Sequence, residues 1–251
     1  MSDPRSPRVA FLIVGAQKAG TTALYAHLRR CDDLCLPDRK ELHFFDDETG
    51  VDWVRPDYAG YEAAFAPAAP RQICGEATPY YMFRPDCLDR IRAYNPAMRL
   101  IAILRDPAAR AYSQWRMQVT RGAEDLPFNR AIREGRQRIA RNLRNFSYVE
   151  RGFYAAQIDQ MIRRFPQGQM HFLLNEDLAR DPLGSLAELC GFLGARPPSS
   201  PVPRTESGHF RSDPGLAPPD PADIAYLRAL YRDDIRRTET LIGRDLSAWL
   251  R

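Results

Sequence analysis

The sequence contains no hydrophobic run long enough to cross a membrane. The apolar stretch near the start, residues 9–14, has six residues, whereas a spanning helix needs about 20 and the apolar region of a signal peptide needs about 7 to 15. The residues before it are polar and include proline. These absences predict a protein without a membrane span, and we expect a cytoplasmic location.

Paired cysteines are also lacking. The chain has five cysteines, an odd number, and none forms a CxxC pair. A disulfide framework or a zinc knuckle would require paired cysteines at short spacing. We therefore predict reduced, buried thiols and no metal site.

A strong charge of one sign is absent as well. The net charge is +4 and the isoelectric point is near 8.9, a basic excess that is too small and too dispersed to indicate nucleic acid binding. It suits a small anionic ligand. At 251 residues, with 44% hydrophobic and 27% charged residues, the chain has the size and composition of one globular domain.

Two apolar runs predict the centre of the fold. Residues 9–14 end at Gly15, and residues 98–104 end at Arg105, a pattern typical of strands buried on both faces of a parallel sheet. A helix follows each run, at about 21–30 and 108–119. Further helices are predicted at about 61–65, 84–94, 154–165, 183–193 and 221–242, and further strands around 72–74 and at 170–174. The predicted fold class is α/β, a single domain over residues 1–251 with a central, mostly parallel sheet flanked by helices.

The first strand-to-helix turn carries a glycine loop, GAQKAGTT, at residues 15–22. Its glycines occupy the first and sixth positions of a Walker A loop, but Thr21 stands where that motif has lysine, and the lysine is Lys18. Backbone N–H groups at a helix N-terminus still favour an anion. No strand ends in an obvious Walker B aspartate, so a site for a magnesium-bound nucleotide is not indicated. The alternative is a turn that only joins strand and helix.

The second turn carries Arg105 and, eight residues later, Ser113. An arginine at a strand end and a hydroxyl one to two turns into the next helix can bind one phosphate together. Because ligands of open α/β sheets bind beyond the carboxyl ends of the strands, two such turns predict a ligand with two phosphate groups. The alternative is a helix start with a local ion pair.

The segment KELHFF at residues 40–45 places Glu41 and His43 on alternate positions. If the segment is extended, the two side chains share a face, and either could take a proton from an attacking hydroxyl. A solvated Lys40–Glu41 pair with a histidine at the edge of the core is the alternative.

These motifs, together with GEATPYY at 75–81 and LRDPAARAYSQW at 104–115, resemble in order and spacing the sulfotransferases of the heparan-sulfate and bacterial type. Those enzymes have a P-loop fold and use 3'-phosphoadenosine-5'-phosphosulfate (PAPS) as sulfuryl donor. The likeness extends through YVERGFY at 148–154, the NEDL turn at 175–178 and the final helix with LSAW at 246–249. It therefore covers nearly the whole chain.

The resemblance implies a role for each matching position. The glycine loop would hold the 5'-phosphosulfate, Arg105 and Ser113 the 3'-phosphate, and Glu41 would act as general base with His43 beside it. Lys18 would stabilise the bridging oxygen as 3'-phosphoadenosine-5'-phosphate (PAP) leaves in an in-line displacement, without a metal. The loop positions are Gly15, Lys18, Ala19, Gly20, Thr21 and Thr22.

The sequence departs from the family pattern at two places that bear on the choice of acceptor and on binding of the 3'-phosphate. Heparan-type enzymes have Glu-Lys-Ser/Thr-Pro where this chain has Glu76 followed by Ala77, so a lysine near the sulfate is missing, which disfavours a long sulfated glycan. We expect a small-molecule or carbohydrate-like hydroxyl acceptor. The stretch that closes over the 3'-phosphate in those enzymes is also absent, and Arg211 is the candidate replacement.

Between about residues 120 and 151 the family motifs lapse and arginines accumulate. If this insert is one helix, Arg130, Arg133, Arg141 and Arg144 cluster within roughly 80° of one another. The stripe is either a lid that attracts an anionic acceptor or a solvated face. The insert's arginines are Arg130, Arg133, Arg136, Arg138, Arg141, Arg144 and Arg151.

Two other functions are compatible with a glycine loop. One is a P-loop nucleotide kinase or NTPase, which the displaced lysine and the missing Walker B aspartate disfavour. The other is a catalytically silent nucleotide- or polyanion-binding protein, which the presence of Glu41, Lys18 and Arg105 disfavours.

Overall fold

The computed structural model describes residues 8–66, 68–140, 142–202 and 217–251. Two predicted residues lie outside these ranges: Arg211, the candidate replacement for the stretch that closes over the 3'-phosphate, and Arg141 of the insert. Among the described residues, no helix combines the length and the apolar character needed to span a bilayer.

A five-stranded sheet forms the centre of the fold. Its strand order is β2-β3-β1-β4-β5, and every neighbouring pair is parallel. The two predicted apolar runs are the central neighbours β1 and β4, which confirms their assignment. The strands are β1 (Val9–Gly15), β2 (Leu34–Cys35), β3 (Ile73–Ala77), β4 (Arg99–Leu104) and β5 (Met170–Leu174).

The helices of the described residues are α1 (Thr21–Leu28), α2 (Tyr58–Glu62), α3 (Pro85–Tyr94), α4 (Pro107–Thr120), α5 (Phe128–Ile139), α6 (Leu143–Phe146), α7 (Tyr154–Ile162), α8 (Asn175–Arg180), α9 (Pro182–Leu193) and α10 (Pro221–Ile242). Short 3-10 turns lie at Ala63–Phe65, Tyr81–Phe83, Glu150–Gly152, Gln167–Gln169 and Ser247–Leu250. The seven predicted helices correspond to α1, α2 with the 3-10 turn that follows it, α3, α4, α7, α9 and α10. The structure adds the helices α5, α6 and α8.

An Asp-Pro pair starts three of the helices. Asp106, Asp181 and Asp220 each accept a backbone N–H of the first turn of α4, α9 and α10, and the following proline occupies the first helical position. An aspartate cap satisfies an N–H group that has no partner within the helix, and proline has no N–H at that position to satisfy. These local signals explain why the starts of these helices are readable from the sequence.

Helices α1 and α9 cover a hydrophobic face of the sheet. Phe11 and Ile13 of β1 lie in one buried cluster with Leu24 of α1, Ile103 of β4 and Leu189 of α9. All five are fully buried. The α/β class and the parallel sheet flanked by helices are therefore confirmed.

The chain groups into two compact units. The first takes its described residues from Met1–Ala16, Gly20–Leu104 and Gln160–His209, and contains the whole sheet. The second takes its described residues from Gln17–Ala19, Arg105–Asp159 and Phe210–Arg251. The single-domain assignment over 1–251 stays a prediction.

Three local predictions differ from the structure. The 175–178 segment is a short helix, α8, rather than a turn, and β2 was not predicted because two residues are too few to show a periodicity. The insert is not one helix, since α5 ends at Ile139 and α6 begins at Leu143. The condition for the predicted stripe, one continuous helix from Arg130 to Arg144, is therefore not met.

Candidate active site

The glycine loop joins β1 to α1 and needs glycine at two places. Gly20 has φ +105°, and a Cβ there would lie 2.4 Å from the side-chain nitrogen of Asn175. A Cβ at Gly15 would lie 2.6 Å from the sulfur of Met82. The left-handed backbone at Gly20 favours glycine, and at both positions a Cβ would require the neighbouring side chain to move.

The N-terminus of α1 has no side-chain cap. Its N-cap residue is Gly20, which has no side chain to accept the N–H groups of the first turn. Thr21 is buried and Thr22 is exposed at the start of this helix. Uncapped N–H groups and the positive end of the helix dipole together favour an anion at this end.

Lys18 has a left-handed backbone within the loop. Its φ is +68°, a conformation that costs a non-glycine residue of order 1–3 kcal/mol and persists only where the surroundings hold it. Arg105 supplies one such contact, because its Nη1 donates to the Lys18 carbonyl at 3.4 Å. The structure thus brings together two predicted ligand-binding residues that are 87 positions apart.

The second predicted turn is a tightly ordered helix start. Asp106 accepts the N–H groups of Ala108 at 2.8 Å and Ala109 at 3.3 Å and so caps the start of α4. Arg105 follows β4 directly and is half-buried, and Ser113 lies half-buried about two turns further on in the same helix. Both positions agree with the predicted phosphate-binding turn, and their ligand role stays a prediction.

Glu41 and His43 contact each other, although the segment is not extended at either residue. Their φ angles are +62° and +58°, and His43 Nε2 lies 3.4 Å from Glu41 Oε2. On its other side, the His43 ring nitrogen Nδ1 lies 2.9 Å from Asp46 Oδ1. The condition for a shared strand face is not met, and the two side chains meet through left-handed backbone at both positions instead.

All three predicted catalytic residues have strained backbone. Among the described residues, the non-glycine positions with positive φ are Lys18, Glu41, His43 and Arg71. Such conformations cluster at active sites, where they fix a side chain in a functional orientation. Positive φ at Lys18, Glu41 and His43 is therefore in keeping with a functional role for these side chains.

The Glu41 carboxyl is held in its ionised form. Burial raises its pKa, but the hydrogen bond from His43 and the charge of Lys40 lower it more, to about 2. The Lys40 ammonium lies 2.6 Å from Glu41 Oε1. At neutral pH the group is therefore a carboxylate, as a proton acceptor must be, although Lys40 reduces its basicity.

Glu76 anchors the Glu41 loop from inside the sheet. It is fully buried in β3 and accepts from Thr78 Oγ1 at 2.7 Å and from Tyr81 Oη at 2.9 Å. Burial raises its pKa, while Thr78, Tyr81 and the backbone N–H of Leu42 oppose that shift by donating hydrogen bonds. The same loop is held at Glu41, whose N–H donates to the Ala77 carbonyl at 3.1 Å.

Two buried arginines contact Gln17 of the glycine loop, and the sequence prediction missed both as site residues. Arg110 is fully buried and its Nη1 lies 3.4 Å from the Gln17 carbonyl. Arg151 is 2% exposed and donates to Gln17 Oε1. Both lie in motifs that resemble the sulfotransferase family, LRDPAARAYSQW for Arg110 and YVERGFY for Arg151. Only their burial distinguishes them from the other arginines of the chain.

Most described arginines of the insert are engaged in contacts of their own. Arg130 pairs with Glu134 at 2.8 Å, Arg133 with Asp223 at 2.7 Å, and Arg138 with Glu124 at 2.8 Å. Glu124 and Asp223 are buried, whereas the Arg130–Glu134 pair is exposed. Each carboxylate offsets the charge of its arginine and leaves less charge available to attract an anion. These pairs favour the solvated-face interpretation over the lid.

The chain uses lysine at two positions only, Lys18 and Lys40, among 36 basic residues. Lys18 lies in the glycine loop and Lys40 contacts Glu41. A lysine ammonium is a compact point charge, which arginine with its planar fork cannot replace. This distribution is consistent with a specific role for each ammonium.

The chain matches the family model of the sulfotransferase domain over residues 9–207. It belongs to the sulfotransferase family. The α/β fold and the glycine loop with its displaced lysine agree with this family match.

Its curated relatives include enzymes of heparan sulfate modification. The chain is 33% identical over 187 residues to heparan sulfate glucosamine 3-O-sulfotransferase 6 of Homo sapiens, covering 74% of this chain and 52% of that protein. It is 30% identical over 187 residues to heparan sulfate glucosamine 3-O-sulfotransferase 3B1 of Mus musculus, covering 74% and 46%. The chain thus spans about half the length of these relatives.

A solved bacterial structure matches over nearly the full length of both chains. The sulfotransferase from Alicyclobacillus acidocaldarius is 31% identical, with a TM-score of 0.83, covering 97% of this chain and 99% of that one. The sulfotransferase domain of the Synechococcus PCC 7002 olefin synthase shares the fold, at 19% identity and a TM-score of 0.60.

Proposed function

We propose that this sulfotransferase uses PAPS as donor and transfers its sulfuryl group to a hydroxyl of a small-molecule or carbohydrate-like acceptor. The acceptor oxygen forms a bond to sulfur while the bond from sulfur to the 5'-phosphate oxygen breaks. The hydroxyl proton goes to the protein, and PAP leaves with the electron pair of the broken bond. The products are a sulfate ester and PAP.

The glycine loop with its displaced lysine is the main support for PAPS as the sulfuryl donor. Lys18 is held in a strained backbone conformation, and its carbonyl accepts from Arg105. The start of α1, where Gly20 provides no side-chain cap, suits a phosphate group held by backbone N–H groups. In this proposal Gly15, Lys18, Ala19, Gly20, Thr21 and Thr22 hold the 5'-phosphosulfate, and Arg105 and Ser113 hold the 3'-phosphate.

Glu41 is the proposed general base. Its low pKa keeps it ionised, and its contacts with His43 and Lys40 fix its orientation. The His43 ring, held by Asp46, orients Glu41 or the acceptor. An acceptor hydroxyl that displaced Lys40 from the carboxylate would raise the basicity of Glu41 at the moment of transfer.

The acceptor is proposed to be less sulfated than heparan sulfate. Ala77 is fully buried in β3 and offers no charge where, by resemblance, heparan-type enzymes have lysine. The described arginines at the surface of the insert are largely paired with carboxylates. Labelled PAPS with a panel of desulfated sugar, phenolic and aliphatic hydroxyl acceptors tests this, and a preference for fully sulfated heparan would contradict it.

Replacing Arg105 with alanine should weaken PAPS binding chiefly through the 3'-phosphate. A charge-assisted contact of this type contributes about 1.5–3 kcal/mol, which corresponds to a loss of about 10- to 150-fold in affinity. Calorimetry should show a much smaller loss for adenosine 5'-phosphosulfate, which lacks the 3'-phosphate. Equal losses for both ligands would place Arg105 away from that group.

PAP should bind without a divalent cation. The residues proposed to hold the donor are cations, hydroxyls and backbone N–H groups, and among the described residues no group of three or more His, Cys, Asp or Glu side chains could hold a metal ion. We expect the same PAP affinity by calorimetry with EDTA and with added Mg²⁺. Loss of binding in EDTA would refute a metal-independent donor site.

A further inference from the structure

The guanidinium group of Arg151 is fixed in one orientation by three hydrogen bonds. Its Nε donates to Ser147 Oγ at 2.7 Å, its Nη2 to the Arg144 carbonyl at 2.8 Å, and its Nη1 to Gln17 Oε1. The side chain is 2% exposed, so it cannot adopt another orientation without leaving polar groups unpaired. The segment at 144–151 therefore presents a rigid donor to the glycine loop.

Gln17 is held at both its side chain and its backbone. Arg151 donates to the side-chain oxygen, and the Nη1 of Arg110 lies 3.4 Å from the carbonyl while also donating to Gln114 at 2.8 Å. The Arg110 guanidinium is fully buried. Three arginines thus contact two consecutive loop residues, because Arg105 donates to the carbonyl of the next residue, Lys18.

This arrangement explains how Lys18 keeps its strained backbone. A left-handed conformation at a non-glycine residue persists only when neighbouring contacts determine it. Gln17 fixes the chain on the N-terminal side of Lys18, and Arg105 fixes the peptide group that follows it. A shift of the ammonium by about 1 Å would cost up to about 10²-fold in rate, since transfer depends on its position.

We infer that Gln17 and its partner Arg151 are positioning residues for Lys18 in the sulfuryl transfer step. This inference rests on the proposed role of Lys18 toward the PAPS bridging oxygen. Neither residue touches the reacting atoms in this account. They act by fixing the loop backbone, so their effect is expressed in turnover rather than in donor affinity.

The test is a double-mutant cycle between Gln17 and Lys18. Gln17→Met keeps the length and volume of the side chain but removes the oxygen that accepts from Arg151. We expect kcat with PAPS to fall about tenfold or more and PAP affinity by calorimetry to change less than about threefold. In a Lys18→Met background, Gln17→Met should have almost no further effect on kcat, because it acts through Lys18.

Two further variants separate this role from a loss of folding or of charge. Arg151→Lys keeps the charge but not the fork, and should fall between the wild type and Gln17→Met in kcat. Arg130→Ala removes a surface cation of the same insert that pairs with Glu134, and should leave kcat unchanged. Circular dichroism confirms that each variant is folded.

The outcomes distinguish a failure of the proposed function from a failure of the positioning role alone. A wild-type protein that neither binds PAP nor transfers sulfate from PAPS would contradict the proposed function. An active wild type in which Gln17→Met leaves kcat unchanged, or in which the effects of Gln17→Met and Lys18→Met multiply independently, would overturn the positioning role alone.

Discussion

Replacing Glu41 with glutamine should lower turnover by about 10²-fold or more while PAP affinity stays near that of the wild type. Glutamine keeps the shape and hydrogen-bonding reach of the side chain but removes its basicity, and general base catalysis contributes about 10²–10⁴-fold. Steady-state assays with labelled PAPS and calorimetry with PAP measure the two quantities separately. His43→Ala should cost less, since histidine only orients the proton acceptor.

A matched control lies a few residues along the chain. Glu48 pairs with Arg84 at 3.0 Å and Arg90 at 2.8 Å, and Glu48→Gln removes one carboxylate of that region without touching Glu41. Its kcat should equal that of the wild type. Retained activity in Glu41→Gln together with complete loss in His43→Ala would show that the base has been assigned to the wrong residue.

The pH profile provides an independent check on the base. The pKa of Glu41 is about 2, so the basic form is lost only as the pH falls through that region. Kinetic profiles of kcat/KM should therefore show no acid limb from Glu41 between pH 5 and 8. A limb near pH 6.5 that disappears in His43→Ala would indicate a histidine base instead.

Replacing Lys18 with methionine should lower kcat by about 10²- to 10³-fold. The ammonium is proposed to stabilise the charge that develops on the bridging oxygen, and removal of one such preorganised group typically costs this much. Lys18→Arg should not restore the wild-type rate, since a planar fork cannot occupy the place of a compact ammonium. Single-turnover kinetics with PAPS would measure the chemical step directly.

Lys40 is the natural control for Lys18, as the other lysine of the chain. It contacts Glu41 rather than the glycine loop, so its replacement by methionine should change the pH dependence of turnover and not the stabilisation of the leaving group. A Lys18→Met variant with more than about a tenth of wild-type kcat would contradict the proposed role of the ammonium.

The sequence predicted the central strands and the glycine loop because their signals are local. The apolar runs of β1 and β4 are continuous, and the Asp-Pro pairs mark helix starts within two residues. Gly15 and Gly20 could be assigned for the same reason, since a glycine loop after a buried strand carries its own pattern. The extent of β3 was underestimated because its buried Glu76 interrupts the apolar pattern.

The contacts that organise the site were not predictable in the same way. Arg151 and Gln17 are 134 positions apart, and Arg110 and Gln17 are 93 apart. Only the folded chain brings them together, and no periodicity marks an arginine that will be buried. The left-handed backbone of Glu41 and His43 was also missed, because neither residue type signals that conformation.

The most direct test of the donor assignment is a thermal shift measured in parallel with PAP, magnesium ATP and heparin. A ligand present at 100 times its Kd, and bound only by the folded protein, stabilises it by about 2.7 kcal/mol. For a chain of this size that corresponds to a rise in Tm of roughly 5–10 °C. We expect such a rise in Tm with PAP, with or without EDTA, and little change in Tm with magnesium ATP or heparin. A rise with magnesium ATP or heparin and none with PAP would contradict the donor assignment.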